Sequence, residues 1–194
     1  ADLHFNHNLV AVDGEKKVAT FAGKDADGNE IKVERPFDML HVCPPQSAPD
    51  FIKASPLANE AGWLEVNQTS LQHSKHSNIF GLGDCTSTPN AKTAGAIRQQ
   101  APIVAENVIR LLKGDTLLSC YEGYGSCPLT VEHGKIVLAE FSYGGKVTPT
   151  FPSWLINGLV PTRLAWFLKK TILPYVYFNR MLKGKEFLAE PKIQ

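Results

Sequence analysis

The sequence predicts an α/β fold with an antiparallel β-meander and short helices at its end. Residues 9–34 alternate apolar with polar side chains and are interrupted by Asp-Gly and Gly-Asn pairs, which favour hairpin turns. A short apolar segment ends in Gly83-Asp84 and is followed by a stretch of helical periodicity. The tail, residues 151–185, is apolar and basic, contains no Asp or Glu, and is divided by prolines.

Residues 1–36 form the predicted meander of three strands. Turns are expected at Asp13-Gly14 and at Asp27-Gly28-Asn29, between the apolar runs. The next segment, 37–43, is a nearly continuous apolar run that Pro44-Pro45 must end, because proline cannot extend a ladder from the middle of a sheet. We place a domain boundary between residues 36 and 37.

The segment 78–95 is the predicted ligand site. Ile79–Leu82 is expected to be a short buried strand, and Asp84 then presents a carboxylate at the strand end, where open α/β sheets bind ligands. A helix is expected to begin near Asn90 or Ala91, with its free N–H groups directed at the same crevice. A carboxylate beside a helix start suits a nucleotide-like cofactor.

This helix is predicted to end at Gly114 and to kink or break at Pro102. Its apolar face is expected to comprise Ile97, Ala101, Val104, Val108, Leu111 and Leu112. The opposite face, facing solvent or another domain, is expected to carry Arg98, Gln99, Gln100 and Glu106. Residues 37–115 make up the second predicted segment.

The third predicted segment, residues 116–152, contains a loop and a β-hairpin. Tyr121–Leu129 is rich in Gly and Tyr, so it is expected to be a loop that holds Cys127 with its side chain free to face a cavity. Residues 136–141 are expected to form a strand that turns at Gly144-Gly145 and pairs with 147–150.

The tail, residues 153–194, mixes aromatic and aliphatic side chains with Lys and Arg. Pro161 and Pro174 are typical first-turn residues, so we expect short helices instead of the ~20 uninterrupted apolar residues of a spanning helix. Such a composition is typical of helices lying in a bilayer interface. The alternatives are helices packed on the protein's own core or a dimer contact.

Composition excludes several classes of function. A formal charge of +1 and the lack of a basic arm or zinc-finger spacing argue against a nucleic-acid partner. The four cysteines show no Cys-x-x-Cys pair, and the histidine pairs His4/His7 and His73/His76 are expected at the solvated surface. No metal site is predicted.

Four motifs in order resemble the sulfide:quinone oxidoreductase family, whose members are flavoproteins with two dinucleotide-binding domains. They are Phe37–Pro45, Ala61–Val66, Gly83–Cys85 and Tyr121–Leu129, within residues 30–152. The resemblance implies the C-terminal portion of an FAD/NAD(P)-binding, glutathione-reductase-like fold. The family's first Gly-x-Gly-x-x-Gly fingerprint is absent, so we expect an N-terminal half of the same protein to carry it, and residues 1–36 to close the second nucleotide-binding domain.

The resemblance also implies the roles of individual residues. Asp84 matches the aspartate that holds the FAD ribitol, Lys92 falls at the position used at the flavin, and Thr93 and Ala94 offer N–H groups to its pyrimidine oxygen. Cys127 corresponds to one of two redox cysteines, the other lying upstream of residue 1. The implied substrates are sulfide and a quinone, with a cysteine persulfide as intermediate. Cys85 is expected to be packed, and Cys43 and Cys120 have no implied role.

Two alternatives stay open at this stage. An NADH:quinone reductase-like flavoprotein would use the Asp84 site and the tail without cysteine chemistry at Cys127. A non-catalytic membrane-surface module would use the tail alone. The expected location is peripheral, on a respiratory membrane, with the bacterial inner membrane favoured; the fragment alone is expected to be inactive.

Overall fold

A computed structural model describes residues 2–89, 92–185 and 188–193. The chain divides into two compact units, residues 1–46 and 47–194.

The first unit is a three-stranded antiparallel sheet, as the turn signals predict. Its strands are β1 (His7–Asp13), β2 (Val18–Lys24) and β3 (Glu30–Pro36), in the order β1-β2-β3. In the second turn the Asp25 carboxylate accepts hydrogen bonds from the backbone N–H groups of Asp27 and Asn29, at 3.0 and 2.8 Å. The apolar run 37–43 forms no strand among the described residues: prolines flank it on both sides and no neighbour supplies a ladder for it.

The second unit begins with a short helix and is crossed by a long one. Helix α1 (Asp50–Lys53) precedes α2 (Ala94–Lys113), which ends at Gly114 in the left-handed conformation, with φ +78°. The helix runs unbroken through Pro102, so the alternative of a break there was wrong. The predicted apolar face was wrong in part. Ile97, Ala101 and Leu112 are exposed, whereas Val108 and Leu111 are half-buried and the half-buried Val104 packs on the core. The fully buried positions of α2 are Ala96, Gln100, Ile103 and Asn107.

Buried amide side chains explain this difference in α2. The Asn107 side chain donates to the carbonyls of Ser70 and Ser119 and accepts from the Ser119 N–H. The side-chain carbonyl of Gln100 accepts a hydrogen bond from the Gly83 N–H. Each amide side chain satisfies backbone groups of another segment, so its burial leaves no hydrogen-bonding group without a partner. The apolar pattern of the sequence does not show this, and it therefore assigns such polar residues to the solvent face.

A second antiparallel sheet follows α2. Strands β5 (Gly125–Glu132), β6 (Lys135–Ser142) and β7 (Lys146–Val147) pair in that order. The strand and hairpin predicted from 136 to 150 are thus present, although β7 is shorter than expected. A separate two-stranded sheet pairs β4 (Ser119–Cys120) with β8 (Lys192–Ile193).

The tail forms one helical run with a π-helical turn in its middle. Helix α3 (Arg163–Phe167), the π-turn Leu168–Ile172 and α4 (Leu173–Asn179) are consecutive, and the Thr162 hydroxyl caps α3 by accepting the Ala165 N–H at 3.2 Å. Pro174 lies in the first turn of α4, as predicted, but does not interrupt the run. No helix among the described residues is long and apolar enough to cross a membrane.

The tail also contributes to the hydrophobic core. Ile156 and Ala165 are buried against Ile136 and Leu138 of β6. One side of the tail therefore packs on the second sheet, which is the alternative that the sequence left open. Other apolar side chains of the tail remain exposed, among them Trp154, Leu159, Phe167, Tyr175, Phe178 and Leu182.

Candidate functional site

The segment that presents Asp84 is a tight turn, so the predicted strand at Ile79–Leu82 was wrong. Phe80 makes an isolated bridge to Gln72, and Gly83–Cys85 forms a single 3-10 turn. The backbone reverses at Gly83, whose φ of +75° favours glycine and interrupts an extended strand.

Helix α2 holds this turn through a side-chain hydrogen bond. The Gly83 N–H donates to the Gln100 side-chain oxygen at 2.7 Å, and the Thr86 hydroxyl donates to the Gly83 carbonyl at 2.9 Å. The Asp84 side chain is exposed, and it makes no hydrogen bond or close ion pair with any residue that the structure describes. The turn thus presents a carboxylate whose acceptor capacity is not used by the described residues. The role of Gln100 was not predicted from the sequence. Its position on the same helix face as Ala96 and Ile103 was the signal that could have indicated it.

Lys92 reaches back over the same turn. Its Nζ donates to the Thr86 carbonyl at 2.6 Å and lies 4.1 Å from the centroid of the Trp63 ring. Burial lowers the pKa of Lys92, and the nearby Asp84 and Cys85 partly oppose that shift. The ammonium is therefore held in place close to the Asp84 carboxylate.

The N-terminus of α2 is capped by Thr93, whose hydroxyl accepts the Ala96 N–H at 3.2 Å. The helix begins at Ala94, which is exposed. The predicted starting positions, Asn90 and Ala91, lie outside the described residues. Thr93 and Ala94 therefore lie at the helix start, where unpaired backbone N–H groups favour an electronegative partner.

Cys127 lies in strand β5, so its assignment to a loop was wrong. It pairs with Ala139 of β6, and this ladder overrides the loop tendency of the Gly- and Pro-containing segment. Its neighbour Ser126 packs against Gly95 so closely that a Cβ at position 95 would collide with the Ser126 hydroxyl. The half-buried Cys127 is thus one residue away from a direct contact with the first turn of α2.

A buried carboxylate anchors the strand next to Cys127. Glu140, opposite Ser126 in the ladder, accepts hydrogen bonds from the Tyr124 hydroxyl at 2.5 Å, from the Thr150 N–H at 3.0 Å and from the Thr150 hydroxyl. Burial, followed by the bond to Glu140, raises the pKa of Tyr124 to about 12. Sequence reasoning missed this network, although a single Glu that continues the inward alternation of Ile136 and Leu138 was a signal for it.

The tail is tied to the same strand. Lys169, in the π-turn, donates from Nζ to the Pro128 carbonyl at 2.9 Å and to the Thr130 hydroxyl at 2.8 Å. Pro128 directly follows Cys127 in the chain. The tail therefore contacts the backbone beside the predicted redox cysteine.

The other cysteines occupy different surroundings. Cys85 is half-buried and packs against the cluster of Ala48, Ile52, Leu64 and Val66, as expected, whereas Cys43 is exposed. Cys120 is half-buried, and its thiol lies 3.5 Å from the Leu118 carbonyl. No group of three metal-ligating side chains converges within the described part of the chain.

Three curated proteins resemble this chain over nearly all of its length. It is 39% identical to the mitochondrial sulfide:quinone oxidoreductase of Mus musculus over 182 residues, 42% identical to that of Dictyostelium discoideum over 185 residues, and 38% identical to that of Schizosaccharomyces pombe over 179 residues. The alignments cover 94%, 95% and 91% of this chain and 39%, 39% and 38% of the relatives. No protein-family model matches the chain.

A solved structure is similar as well. A chain in the cryo-EM F1Fo composite tetramer of the Tetrahymena thermophila mitochondrial ATP synthase superposes with a TM-score of 0.68 at 32% identity, covering 88% of this chain and 40% of that one. The present chain spans less than half the length of each curated relative it matches. Over that span, the chain is homologous to the curated sulfide:quinone oxidoreductases.

Proposed function

We propose that this chain is part of a flavoprotein that oxidises sulfide and passes the electrons through FAD to a quinone. The observation that carries the proposal is the contact between Gly95 and Ser126. It brings the strand of Cys127 against the helix start that follows Asp84 and Lys92, so the backbone beside this thiol lies next to the proposed cofactor site. The names of the curated relatives supply the reaction class.

The residues present fit FAD by the chemistry of their donors and acceptors. The exposed Asp84 carboxylate makes no hydrogen bond or close ion pair with any described residue and suits a ribitol hydroxyl. The Lys92 ammonium and the N–H groups at Thr93 and Ala94 suit the electron-rich edge of the flavin ring. FAD, when bound, supplies a two-electron acceptor.

The role of Cys127 follows from thiol–disulfide exchange. A hydrosulfide ion attacks the disulfide between Cys127 and the second cysteine, which we expect upstream of residue 1. The S–S bond between the two cysteines breaks as a new S–S bond joins the incoming sulfur to one of them, and the other cysteine leaves as a thiolate. The first product is therefore a cysteine persulfide. Strand β5, anchored through Tyr124 and Glu140, keeps the Cys127 backbone fixed during this exchange.

The tail is proposed to lie on the surface of a respiratory membrane. Its exposed aromatic and aliphatic side chains are mixed with Lys and Arg, and residues 151–185 contain no acidic side chain. Quinones dissolve in bilayers, so an interfacial tail beside the Cys127 strand gives such a substrate a short route. The sequence favours a bacterial inner membrane and the curated relatives are mitochondrial, so fractionation of the source cells decides between the two.

The test uses the full-length protein with sulfide as reductant and a soluble quinone as acceptor. We expect a flavin spectrum, bleaching on addition of sulfide, and sulfide-dependent quinone reduction that Cys127→Ser abolishes and Cys43→Ser does not. Cys43 is a matched control because its side chain is exposed and has no proposed role. Reduction by NADH but not by sulfide would favour the NADH:quinone reductase-like alternative.

A non-catalytic role is the second candidate, and one observation favours it. The similar chain of the Tetrahymena structure was solved within a mitochondrial ATP synthase. A relative of this fold can thus reside in a large membrane assembly, which suits a scaffold that binds through its tail. A colourless full-length protein that migrates with such an assembly would support this candidate and exclude the flavoprotein.

A further inference from the structure

The motif at Ala61–Val66 has no role in the chemistry proposed above, yet it supplies the surface on which Lys92 rests. The Lys92 ammonium lies 4.1 Å from the centroid of the Trp63 ring, within the range of a cation–π contact. Its second contact is the hydrogen bond to the Thr86 carbonyl at 2.6 Å. Two different kinds of interaction therefore define the position of one flexible side chain.

A rigid turn orients the Trp63 ring. The Asn59 side-chain oxygen accepts the backbone N–H groups of Ala61 and Trp63 at 3.1 and 3.0 Å, and the Asn59 N–H donates to the Trp63 carbonyl at 2.8 Å. Gly62 has φ +84°, and a Cβ there would lie 2.9 Å from Cγ of Lys53. Local hydrogen bonds and the absence of a side chain at position 62 thus fix the backbone that carries the ring.

The same region is joined to the Asp84 turn. The Leu64 N–H donates to the Cys85 carbonyl, and the Ser87 N–H donates to the Leu64 carbonyl, both at 2.9 Å. The Trp63 ring packs on the cluster formed by Ala48, Ile52, Leu64 and Val66. The Trp63 ring and the Asp84 turn therefore belong to one packed body.

We infer that Trp63 is a positioning residue that holds the Lys92 ammonium over its ring and so directs it to the ligand side of the Asp84 turn. This inference rests on the proposed function in one respect, since it assigns the positioned ammonium to the flavin. A lysine side chain that is already ordered loses little rotamer freedom when a ligand binds, so the fixed ammonium favours an electronegative ring edge. The chemistry recognised is that of an electron-rich heterocycle.

The first test is competitive acetylation of the full-length protein with a limiting amount of acetic anhydride, followed by mass spectrometry of the Lys92 peptide. Trp63→Leu keeps an apolar side chain but removes the ring, so the protonated form of Lys92 loses its attraction and the amine reacts more readily. We expect labelling of Lys92 to rise about two- to fivefold relative to the exposed Lys113. Trp63→Phe should restore most of the protection, and Trp154→Leu, at a remote exposed ring, should change nothing.

A second measurement avoids any loss of folding in Trp63→Leu. Replacement of tryptophan by fluorinated analogues keeps the shape of the ring while weakening the negative potential of its face. Labelling of Lys92 should rise in steps with the number of fluorine atoms. Equal labelling in wild-type, Trp63→Leu and fluorinated proteins would overturn the inference.

The flavin spectrum separates this inference from the proposed function. In the holoprotein, Trp63→Leu should shift the visible bands and the reduction potential of the flavin in the same direction as Lys92→Met, and Trp63→Phe should restore both. If labelling rises but the flavin bands stay unchanged in all variants, Trp63 still positions Lys92, and the assignment of Lys92 to the flavin is wrong.

Discussion

Ser126 of β5 occupies the space that a side chain at position 95 of α2 would need. An ideal Cβ at Gly95 would also lie 3.2 Å from both Cβ and the backbone N of Ser126. The helix start and the strand that carries Cys127 are therefore in backbone-level contact. This approach sets how near the thiol can come to a ligand bound at the N-terminus of α2.

Gly95→Ala is expected to separate the two elements. The added methyl group forces β5 or α2 to shift, which should lower the free energy of unfolding by roughly 1–3 kcal/mol in chemical denaturation. Ser126→Gly in the same chain should recover part of the loss by removing the colliding side chain. Gly14→Ala is the control, since a Cβ at position 14 meets nothing within 4 Å. A Gly95→Ala protein as stable as wild type would contradict the tight contact.

Asp84→Ala is expected to weaken flavin binding without destabilising the fold. The carboxylate is exposed and bonds to no described residue, so its loss leaves no buried partner unsatisfied. Loss of a charge-assisted hydrogen bond to a ribitol hydroxyl costs about 1.5–3 kcal/mol, which is roughly a 10- to 150-fold rise in the dissociation constant. Flavin retention during dialysis of the full-length protein measures the binding, and the melting temperature measures the stability of the fold. Unchanged retention would remove Asp84 from the site.

Cys127→Ser is expected to abolish sulfide-dependent quinone reduction and to leave folding and flavin binding intact. The exchange is nearly isosteric, but a serine hydroxyl forms neither a disulfide nor a persulfide. After treatment with sulfide, mass spectrometry of the wild-type protein should find extra sulfur on the peptide with Cys127 and not on that with Cys43. Activity of Cys127→Ser at the wild-type rate would end the sulfide proposal.

Tyr124 is expected to ionise near pH 12, about two units above an ordinary tyrosine. Because the folded state binds this proton more tightly than the unfolded state, the resulting stabilisation is full below about pH 10 and is lost as the pH rises through 12. The difference in phenolate absorbance between wild type and Tyr124→Phe gives the titration directly. Titration of Tyr124 at the ordinary value would mean that its hydroxyl is not buried beside Glu140 in solution.

The tail is expected to respond differently at its exposed and buried positions. Trp154→Ser and Phe178→Ser should reduce retention on vesicles of mixed neutral and anionic lipids with little change in stability, because both rings are exposed. Ile156→Ala is the matched opposite case: it opens a cavity against Ile136 and Leu138 and should cost about 2–5 kcal/mol. Flotation and chemical denaturation of the same variants separate the two effects. Equal vesicle retention in wild type and both serine variants would place the anchor elsewhere.

Local chemistry made much of this fold predictable. The Asp-Gly and Gly-Asn turns define the meander, Gly114 ends α2, and the alternation from Ile136 to Leu138 marks β6. Each of these signals acts within a few residues, so the sequence contains the whole cause. Asp84 and Lys92 stand in a short motif, so the sequence was enough to propose them as ligand contacts, and that role stays a prediction.

The features that the sequence did not reveal depend on partners far along the chain. Gln100 is buried because it satisfies the Gly83 N–H 17 residues away, and Cys127 is in a strand because β6 pairs with it. The apolar segment at Ile79–Leu82 has the composition of a strand, but within the described residues its pairing is limited to one bridge at Phe80. Such pairings override local propensity and cannot be read from neighbouring residues.

The π-helical turn at Leu168–Ile172 sets the rotation of α4 relative to α3 about the helix axis. An α-helix advances about 100° per residue, and a π-turn holds one residue more than an α-turn, so the faces of α3 and α4 are offset by about that angle. Deleting one residue here would rotate the exposed rings of α4 around the helix axis relative to Ala165, while leaving the composition almost unchanged. The number of residues in the π-turn 168–172, more than the identity of any one of them, sets the direction in which the side chains of Tyr175 and Phe178 point.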